Sequence, residues 1–390
     1  MTTNTSFDIT QPLPQGTVLL AASAGTGKTW TISAVCAKAI ATGLVHMENL
    51  LLVTFNRSAA RELRGRVYER LVNTRLLLAG AREPSDPCDW SLIRCGQAGL
   101  TRVESALDNF DRAVITTTHE FASRMLVELG VLSDHDPSSV LMTDLAPLAT
   151  EVSDDHYLAQ YLDCDRPPSV RDKRELSRDV AVKYGEVPIF SKDDADTPVQ
   201  DVLWALSVRE DVRRRSKSRS VHTFDDLIGD LVKALRDPYR GPLACATLAH
   251  RFGLVMVDEF QDTDPLQWEI LRRAFHGHSN LWLIGDPKQS IYAFRGADIH
   301  AYQDAAQSAS HVLHLDVNYR TDKPIVEAVN TLFSNAQLGH DISMELVTAH
   351  HQESRIKTAA TDGPRYHWSQ PFQIRCLQAP AGAQLNTATS

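Results

Sequence analysis

The sequence lacks the features of secreted, membrane-spanning or disulfide-stabilised proteins. Its six cysteines lie far apart and form no Cys-x-x-Cys pair, so neither a zinc site nor a disulfide framework is predicted. The N-terminus is polar and has neither the basic region nor the apolar region of a signal peptide. Apolar runs all stay well short of the roughly 20 residues that cross a bilayer. We therefore expect a cytoplasmic protein with no membrane partner.

The sequence also has no excess of positive charge and few glycine and proline residues. The 40 Lys and Arg residues are outnumbered by 49 Asp and Glu residues, which gives a net charge of −9. This balance excludes a globally basic nucleic-acid coat but leaves room for a local basic groove, because the field depends on where charges lie. The 19 glycines and 18 prolines among 390 residues are too few for a collagenous or broadly disordered chain.

Short apolar runs alternate with helical patterns in two parts of the chain. The predicted strands cover residues 18–22, 50–53, 113–115, 254–257, 281–284 and 312–315. The predicted helices cover residues 29–42, a segment capped by Ser58, a segment ending near Gly130, and segments beginning at Pro265 and Pro324. Strands that alternate with helices predict parallel pairing with right-handed crossovers, and hence an α/β fold.

The residues between these two parts follow a different pattern. From about 131 to 249 the clearest elements are helices, such as 223–235, where Thr223 and Asp226 have the spacing of a capping box. We therefore predict an α/β domain formed by residues 1–130 and 250–340. A mainly helical inserted domain over residues 131–249 interrupts it. Residues 341–390 show no clear period and are predicted to be a linker or the start of a further domain.

A glycine-rich segment, AASAGTGKT over residues 21–29, lies between a predicted strand and a predicted helix. Gly25 and Gly27 let the backbone approach phosphate oxygens closely, and the helix beginning near Lys28 adds its positive end. Lys28 is expected to reach the β- and γ-phosphates of ATP, and the Thr29 hydroxyl to ligate Mg²⁺. The alternative is a chance glycine-rich turn, since the usual first glycine is Ala22 here. The predicted nucleotide-binding residues are Ala22, Ser23, Ala24, Gly25, Thr26, Gly27, Lys28 and Thr29.

An acidic pair follows the predicted strand at residues 254–257. Asp258 is placed to hold Mg²⁺ through its water shell, because Mg²⁺ prefers oxygen ligands and keeps several waters. Glu259 is placed to orient and deprotonate an attacking water. The alternative is a solvated acidic loop, since Asp262 and Asp264 follow closely. That alternative leaves the apolar strand and the phosphate loop unexplained, so the combination favours an NTPase.

Longer motifs carry a family resemblance. They are AASAGTGKT (21–29), LLVTFNRSAARELRGRV (51–67), TTTHEFASRML (116–126), VDEFQDTDPLQW (257–268), GDPKQSIYAFRGAD (285–298) and LDVNYR (315–320). Together they resemble superfamily 1 DNA helicases of the UvrD/Rep type, and most closely the RecB family, the β subunits of exonuclease V. The resemblance covers residues from about 7 to 330, with Asn56 where threonine is commoner. It implies that the α/β part is a RecA-like P-loop NTPase domain.

The resemblance assigns roles to individual residues. Glu259, Gln289 and Arg320 correspond to catalytic positions, with Gln289 sensing the γ-phosphate and Arg320 acting as an arginine finger. Gln15 stands where the family reads adenine. The implied DNA-contacting residues are Thr54, Phe55, His119, Tyr292, Phe294 and Arg295. Aromatic stacking suits a sequence-independent motor because every base has a π-face, although core packing stays an open alternative for Phe55.

The implied function is an ATP-dependent 3′→5′ DNA helicase or translocase that acts in double-strand-break repair and recombination. It implies ATP and Mg²⁺ as cofactors, and single-stranded or duplex DNA with RecC-like and RecD-like subunits as partners. Nothing after Arg320 resembles the second motor domain or the nuclease domain of RecB proteins. We therefore expect an N-terminal ATP-binding portion, with residues 341–390 a linker or the start of a truncated second motor domain.

Several alternatives stay open at this point. A non-catalytic nucleotide- or single-strand-binding module is the runner-up, whereas residues 289–298 disfavour a P-loop kinase or a transporter ATPase. The basic run Arg213-Arg214-Arg215, with Lys217 and Arg219, fits a phosphate-tracking loop or a solvated turn equally well. His350 and His351 have no carboxylate or cysteine at ligand spacing and are predicted to lie at the surface.

Overall fold

A computed structural model describes residues 5–133, 136, 140–142, 144–182, 199–290, 299–334, 336, 346–353 and 355. The strands are β1 (Thr5–Ser6), β2 (Thr17–Ala22), β3 (Leu50–Thr54), β4 (Val114–Thr117), β5 (Val140–Leu141), β6 (Val221–His222), β7 (Leu254–Val257), β8 (Asn280–Gly285), β9 (His311–Leu315), β10 (Val317–Asn318) and β11 (Thr348–Ala349). The helices are α1 (Lys28–Thr42), α2 (Arg57–Leu78), α3 (Pro87–Leu92), α4 (Gly96–Asp108), α5 (Thr118–Leu129), α6 (Ala146–Tyr161), α7 (Val170–Leu176), α8 (Val199–Ser218), α9 (Phe224–Arg236), α10 (Gly241–Arg251), α11 (Pro265–Phe275), α12 (Ile299–Ser308) and α13 (Lys323–Phe333).

Seven strands form a central sheet in the order β1-β9-β2-β8-β7-β3-β4. Every described pairing in this sheet is parallel, for example Leu19 with Leu283 and Leu51 with Val255. Parallel neighbours need crossover connections, and helices from the intervening sequence supply them. This architecture confirms the predicted fold class, a RecA-like α/β domain with a parallel sheet.

Helices cover both faces of the sheet. Leu50 and Leu52 point to the face covered by α1, α2 and α4. Leu51 and Val53 point to the opposite face, where α5 and α9 to α12 pack. Because both faces are buried, the central strands are continuous apolar runs rather than alternating ones, which is why their positions are predictable from the sequence.

A third hydrophobic core lies in the predicted insertion, where α6 contributes Leu148 and Val152, and α8 contributes Trp204 and Val208. Helices α9 and α10 instead share the core of the sheet with α5 and α11. The division into domains stays a prediction, and this packing leads us to propose that the inserted part ends near residue 222 rather than 249. None of the helices within the described ranges is long and apolar enough to cross a membrane.

Helix ends test the local sequence signals. The predicted capping box of α9 is present, with both reciprocal hydrogen bonds between Thr223 and Asp226. Helix α1 ends at Gly43, whose φ of 82° lies in the left-handed region. The predicted cap Ser58 is wrong, because Asn56 caps α2 by accepting a hydrogen bond from the Ala59 N–H at 2.8 Å. Either side chain suits a cap, so composition alone did not distinguish them.

Replacing Asn56 with alanine should lower the free energy of unfolding by about 1 kcal/mol, because the Ala59 N–H loses its acceptor at the start of α2. Ser58→Ala is the matched control, since Ser58 lies exposed in the first turn of α2 and its loss should stay within about 0.5 kcal/mol. Urea denaturation followed by circular dichroism measures both variants. Equal losses would contradict the assignment of Asn56 as the cap.

Candidate functional site

The glycine-rich loop connects the carboxyl end of β2 to the first turn of α1. Within it, the Thr26 N–H and hydroxyl both donate to the Ser23 carbonyl, at 3.2 and 2.7 Å. Gly27 occupies the N-cap of α1 with a φ of 88° and offers no side chain to the first-turn N–H groups. These N–H groups, with the positive end of the helix, form the kind of site that binds an anion.

Gly25 is required by space as well as by conformation. Its φ is 82°, and a Cβ there would lie 2.8 Å from the Arg320 Cβ and 2.9 Å from the Asn318 Oδ1. Gly27 has more room, because a Cβ there would lie 4.0 Å from the Trp30 Cβ and from the Tyr319 Cδ2. The loop is therefore in contact at Gly25 with the segment that carries Arg320.

Lys28 and Glu259 form an ion pair, with 2.7 Å between Nζ and Oε2. The same Glu259 oxygen accepts a hydrogen bond from Gln261 Nε2 at 2.8 Å. Glu259 has a φ of 53°, a left-handed conformation that costs a non-glycine residue about 1 kcal/mol or more. This backbone turn follows β7 directly and places the carboxylate against the phosphate loop.

Two carboxylates beside this ion pair have raised pKa values. Burial, with repulsion from Glu259, raises the pKa of Asp258 to about 6, and the same two causes raise the pKa of Asp262 to about 6. The Asp262 Oδ1 is also buried without a hydrogen-bond partner among the described residues. Crowded, incompletely compensated carboxylates fit a divalent cation, and Asp258 with Thr29 would hold Mg²⁺ here.

A buried amide connects Glu259 to the neighbouring strand. The side chain of Gln261 is buried, and its Oε1 accepts from the Asp286 N–H at 2.9 Å. The Asp286 carboxylate in turn accepts from Gln289 Nε2 at 2.8 Å and pairs with Lys288 Nζ at 2.9 Å. The structure thus connects two predicted catalytic residues, Glu259 and Gln289, through Gln261 and Asp286. Sequence reasoning missed Gln261 and Asp286, although each follows the end of a predicted strand and these two strands are adjacent.

The segment after β9 forms a second wall of the site. Asn318 Nδ2 donates to the Ala24 carbonyl at 3.1 Å, and its Oδ1 accepts from the Arg320 N–H at 2.9 Å. The Tyr319 N–H donates to the Gly25 carbonyl at 2.8 Å. The Arg320 side chain is exposed beside the loop, and the Tyr319 ring is 53% exposed near Gly27. Sequence reasoning passed over Asn318 and Tyr319, the two residues that immediately precede Arg320.

The structure shows the surroundings of two further residues that were predicted to contact a ligand, Gln15 and Thr54. Gln15 precedes β2 at the amino edge of the sheet, whereas the phosphate loop lies at the carboxyl edge, about 20 Å away along six strand residues. The structure therefore places Gln15 away from the phosphate loop, and its contact with adenine stays a prediction. Thr54 is buried, and its hydroxyl donates to the Asn56 carbonyl at 3.0 Å, so it stabilises the turn before α2 rather than facing solvent.

The other predicted DNA contacts are distributed differently. Phe55 is 36% exposed in the turn between β3 and α2. The His119 ring contacts Phe224 edge-on at 6.0 Å, and both line a cavity of about 590 Å³ that also contains Arg57 and Arg124. The remaining three, Tyr292, Phe294 and Arg295, lie outside the described residues.

The basic run at the C-terminal end of α8, which extends to Arg219 just after the helix, is largely paired with acidic side chains. Arg215 and Arg219 both contact the Glu151 carboxylate on α6, at 2.9 and 2.7 Å, and Arg214 contacts Asp211 at 2.7 Å. Arg215 also pairs with Asp155 at 2.6 Å. These pairs favour a helix-packing role over a phosphate-tracking one.

Comparisons with known proteins show which proteins this chain is similar to. The UvrD/REP helicase N-terminal domain family matches residues 3–310. RecBCD enzyme subunit RecB of Mycobacterium tuberculosis is 38% identical over 385 residues, covering 95% of this chain and 34% of that protein. The subunit of the same name from Mycolicibacterium smegmatis is 38% identical over 389 residues, covering 96% and 34%. ATP-dependent DNA helicase UvrD1 of Mycobacterium bovis is 27% identical over 326 residues, covering 81% and 37%. The chain spans about a third of the length of these relatives.

Replacing Asp258 with asparagine should stabilise the metal-free protein by about 2 kcal/mol at pH 8, because it removes an ionised carboxylate that burial disfavours. The raised pKa means that the folded protein holds this proton up to about pH 6, whereas the unfolded chain loses it near pH 4. The advantage of the variant should therefore grow between pH 4 and pH 6 and stay constant above. Urea denaturation in EDTA across this range measures it, and a variant no more stable at pH 8 than at pH 4 would contradict the interpretation.

Proposed function

The chain belongs to the UvrD/REP helicase family, and from that premise we propose that it binds and hydrolyses ATP as part of a DNA helicase of the RecB/UvrD type. The observation that carries this proposal is the continuous set of contacts from Lys28 through Glu259, Gln261 and Asp286 to Gln289. It joins the phosphate loop to two of the three predicted catalytic side chains, Glu259 and Gln289. The runner-up, a non-catalytic binding module, would have no use for the strained Glu259 backbone.

Binding of ATP would have to break the ion pair between Lys28 and Glu259. Lys28 Nζ is 2.7 Å from the carboxylate, so a bound β- or γ-phosphate competes with Glu259 for the same ammonium group. When Lys28 turns to the phosphates, Glu259 loses this partner and keeps the hydrogen bond from Gln261. Its carboxylate is then available to accept a proton from the attacking water.

Mg²⁺, bound by Thr29 and Asp258, would neutralise charge on the phosphate oxygens. Gln289 Nε2 donates a hydrogen bond to Asp286 at 2.8 Å. Asp286 is in turn connected to Glu259 through hydrogen bonds with Gln261. A change at the phosphates could therefore alter the positions of both Glu259 and Gln289. Arg320 lies against Gly25, and we propose that its guanidinium stabilises charge on the transferring phosphoryl group. The exposed Tyr319 ring beside Gly27 is placed to stack on the nucleotide base.

DNA binding is proposed at the same edge of the sheet. Phe55 and His119 follow the adjacent strands β3 and β4, and parallel pairing brings both to the carboxyl edge. Phe55 offers a half-exposed ring for base stacking. Translocation in the 3′→5′ direction, a role in double-strand-break repair, and assembly with RecC-like and RecD-like subunits follow from the family and belong to this proposal.

Lys28→Ala should abolish binding of a fluorescent ATP analogue in the presence of Mg²⁺, because the phosphates lose their charged donor. Glu259→Gln should keep or raise the affinity, because it frees Lys28 from the ion pair, and should abolish hydrolysis. Lys233→Ala, which removes an exposed lysine paired with Asp230, is the matched control. Unchanged affinity in Lys28→Ala would refute the site. Turnover by the parent chain that Glu259→Gln abolishes would exclude the non-catalytic module.

Phe55→Ala and Tyr292→Ala should each weaken single-stranded DNA binding by about 1–3 kcal/mol, because each removes a stacking platform. The slope of log affinity against log salt should stay the same, since stacking releases no counterions. Arg219→Ala is the control and should change neither quantity, because Arg219 is paired with Glu151. Fluorescence anisotropy across a salt series measures both. A changed slope without loss of affinity at fixed salt would contradict the stacking role.

A further inference from the structure

A short segment near residue 350 pairs with the segment after β9 that lies beside the phosphate loop. We call residues 346–353 and Arg355 the latch segment. Its strand β11 pairs in parallel with β10, which joins Thr348 to Val317 and Ala349 to Asn318. The Thr348 N–H donates to the Asp316 carbonyl at 2.7 Å, and the His350 N–H donates to the Asn318 carbonyl at 2.9 Å. The latch segment therefore holds the backbone that carries Tyr319 and Arg320.

Two histidines of the latch segment contact Tyr319 directly. The His350 ring lies 4.8 Å from the Tyr319 ring, centroid to centroid, at an interplanar angle of 34°. His351 Nε2 lies 3.1 Å from the Tyr319 carbonyl oxygen, and its own carbonyl accepts from the Lys323 N–H at 2.9 Å. The rings of His350 and His351 also contact each other edge-on at 5.1 Å. An exposed tyrosine supported in this way has fewer orientations open to it.

Arg355 fixes the other end of the same turn. Its Nε donates to Asp322 Oδ1, and its guanidinium donates to the Arg320 carbonyl, both at 2.6 Å. The Arg355 backbone N–H donates to Asp322 Oδ2 at 2.8 Å. These contacts leave the Arg320 side chain free to reach toward the phosphate loop while its backbone is held.

The geometry points to His350 as a positioning residue: it supports the ring of Tyr319 so that the opposite face of that ring stacks on the base of the nucleotide. This inference rests on the proposed ATP site, and it assigns the latch segment to recognition of the base rather than of the phosphates. The proposed phosphate contacts come from Lys28 and the glycine-rich loop, whereas the side-chain hydrogen bonds of the latch segment go to Asp316, Tyr319, Arg320, Asp322 and Ala349 among the described residues. His350 should therefore matter for ATP and not for a ligand that has phosphates alone.

The experiment compares ATP with inorganic tripolyphosphate, each with Mg²⁺, by isothermal titration calorimetry on the full 390-residue chain. His350→Ala should weaken ATP binding about three- to tenfold, the size expected for losing one aromatic pair, and leave tripolyphosphate binding unchanged. His350→Phe keeps a ring at the same position and should restore ATP affinity to within about twofold. His278→Ala, an exposed histidine at the opposite edge of the sheet, is the control.

Three results would overturn the inference: unchanged ATP affinity in His350→Ala, equal weakening of both ligands, or no rescue by phenylalanine. Lys28→Ala in the same series separates this outcome from failure of the ATP site. If Lys28→Ala abolishes binding of both ATP and tripolyphosphate while His350→Ala changes neither affinity, the phosphate site is supported and the role of His350 is refuted. If Lys28→Ala binds both ligands normally, the proposed function itself falls.

Discussion

The parallel pairing of β2, β7 and β8 is the constraint on which the candidate site depends. Ala21 pairs with Gly285, and Val257 pairs with Leu283, so the phosphate loop, the Asp258-Glu259 pair and Asp286 all leave the sheet at one edge. Residues that are more than 200 positions apart meet there because helices carry each connection back across a sheet face. Both faces are filled with apolar side chains, so a shift of register would expose core residues on one face or the other. The fold therefore fixes the relative positions of the predicted site residues.

Negative side chains outnumber positive ones at this edge of the sheet. Lys28 pairs with Glu259, and burial, with repulsion from the Glu259 carboxylate, raises the pKa of Asp258 and of Asp262. An arrangement that maximised stability would replace such carboxylates with neutral groups, as Gln261 already does beside them. The retained negative charge is instead suited to a cation, and the left-handed backbone of Glu259 adds a further cost at the same point. Stability is lost here in exchange for preorganised charge.

Sequence reasoning predicted the parts of this structure that depend on local pattern. Continuous apolar runs gave the central strands within one or two residues, and the phosphate loop followed from its glycines and Lys28. Helices α3 and α4 were missed, since α3 has six residues and α4 begins without a side-chain cap. Gln15 lies close to the phosphate loop in the sequence, yet the length of one strand separates the two, and its contact with adenine stays a prediction. The amide bridges of Gln261 and Asn318 could not be predicted, since each depends on which strands become neighbours.

The basic residues at the end of α8 show that a run of charge in the sequence does not reveal which partners those charges have in the fold. Arg215 and Arg219 look like a nucleic-acid contact in the sequence, yet both hold the Glu151 carboxylate on α6. A phosphate that approached them would have to displace a carboxylate already within hydrogen-bond distance, so the net gain would be small. A chain with net charge −9 has little long-range attraction for DNA to add. The proposed affinity for a single strand would then come mainly from short-range contacts, which favours exposed rings such as Phe55 over the basic run as the source of binding energy.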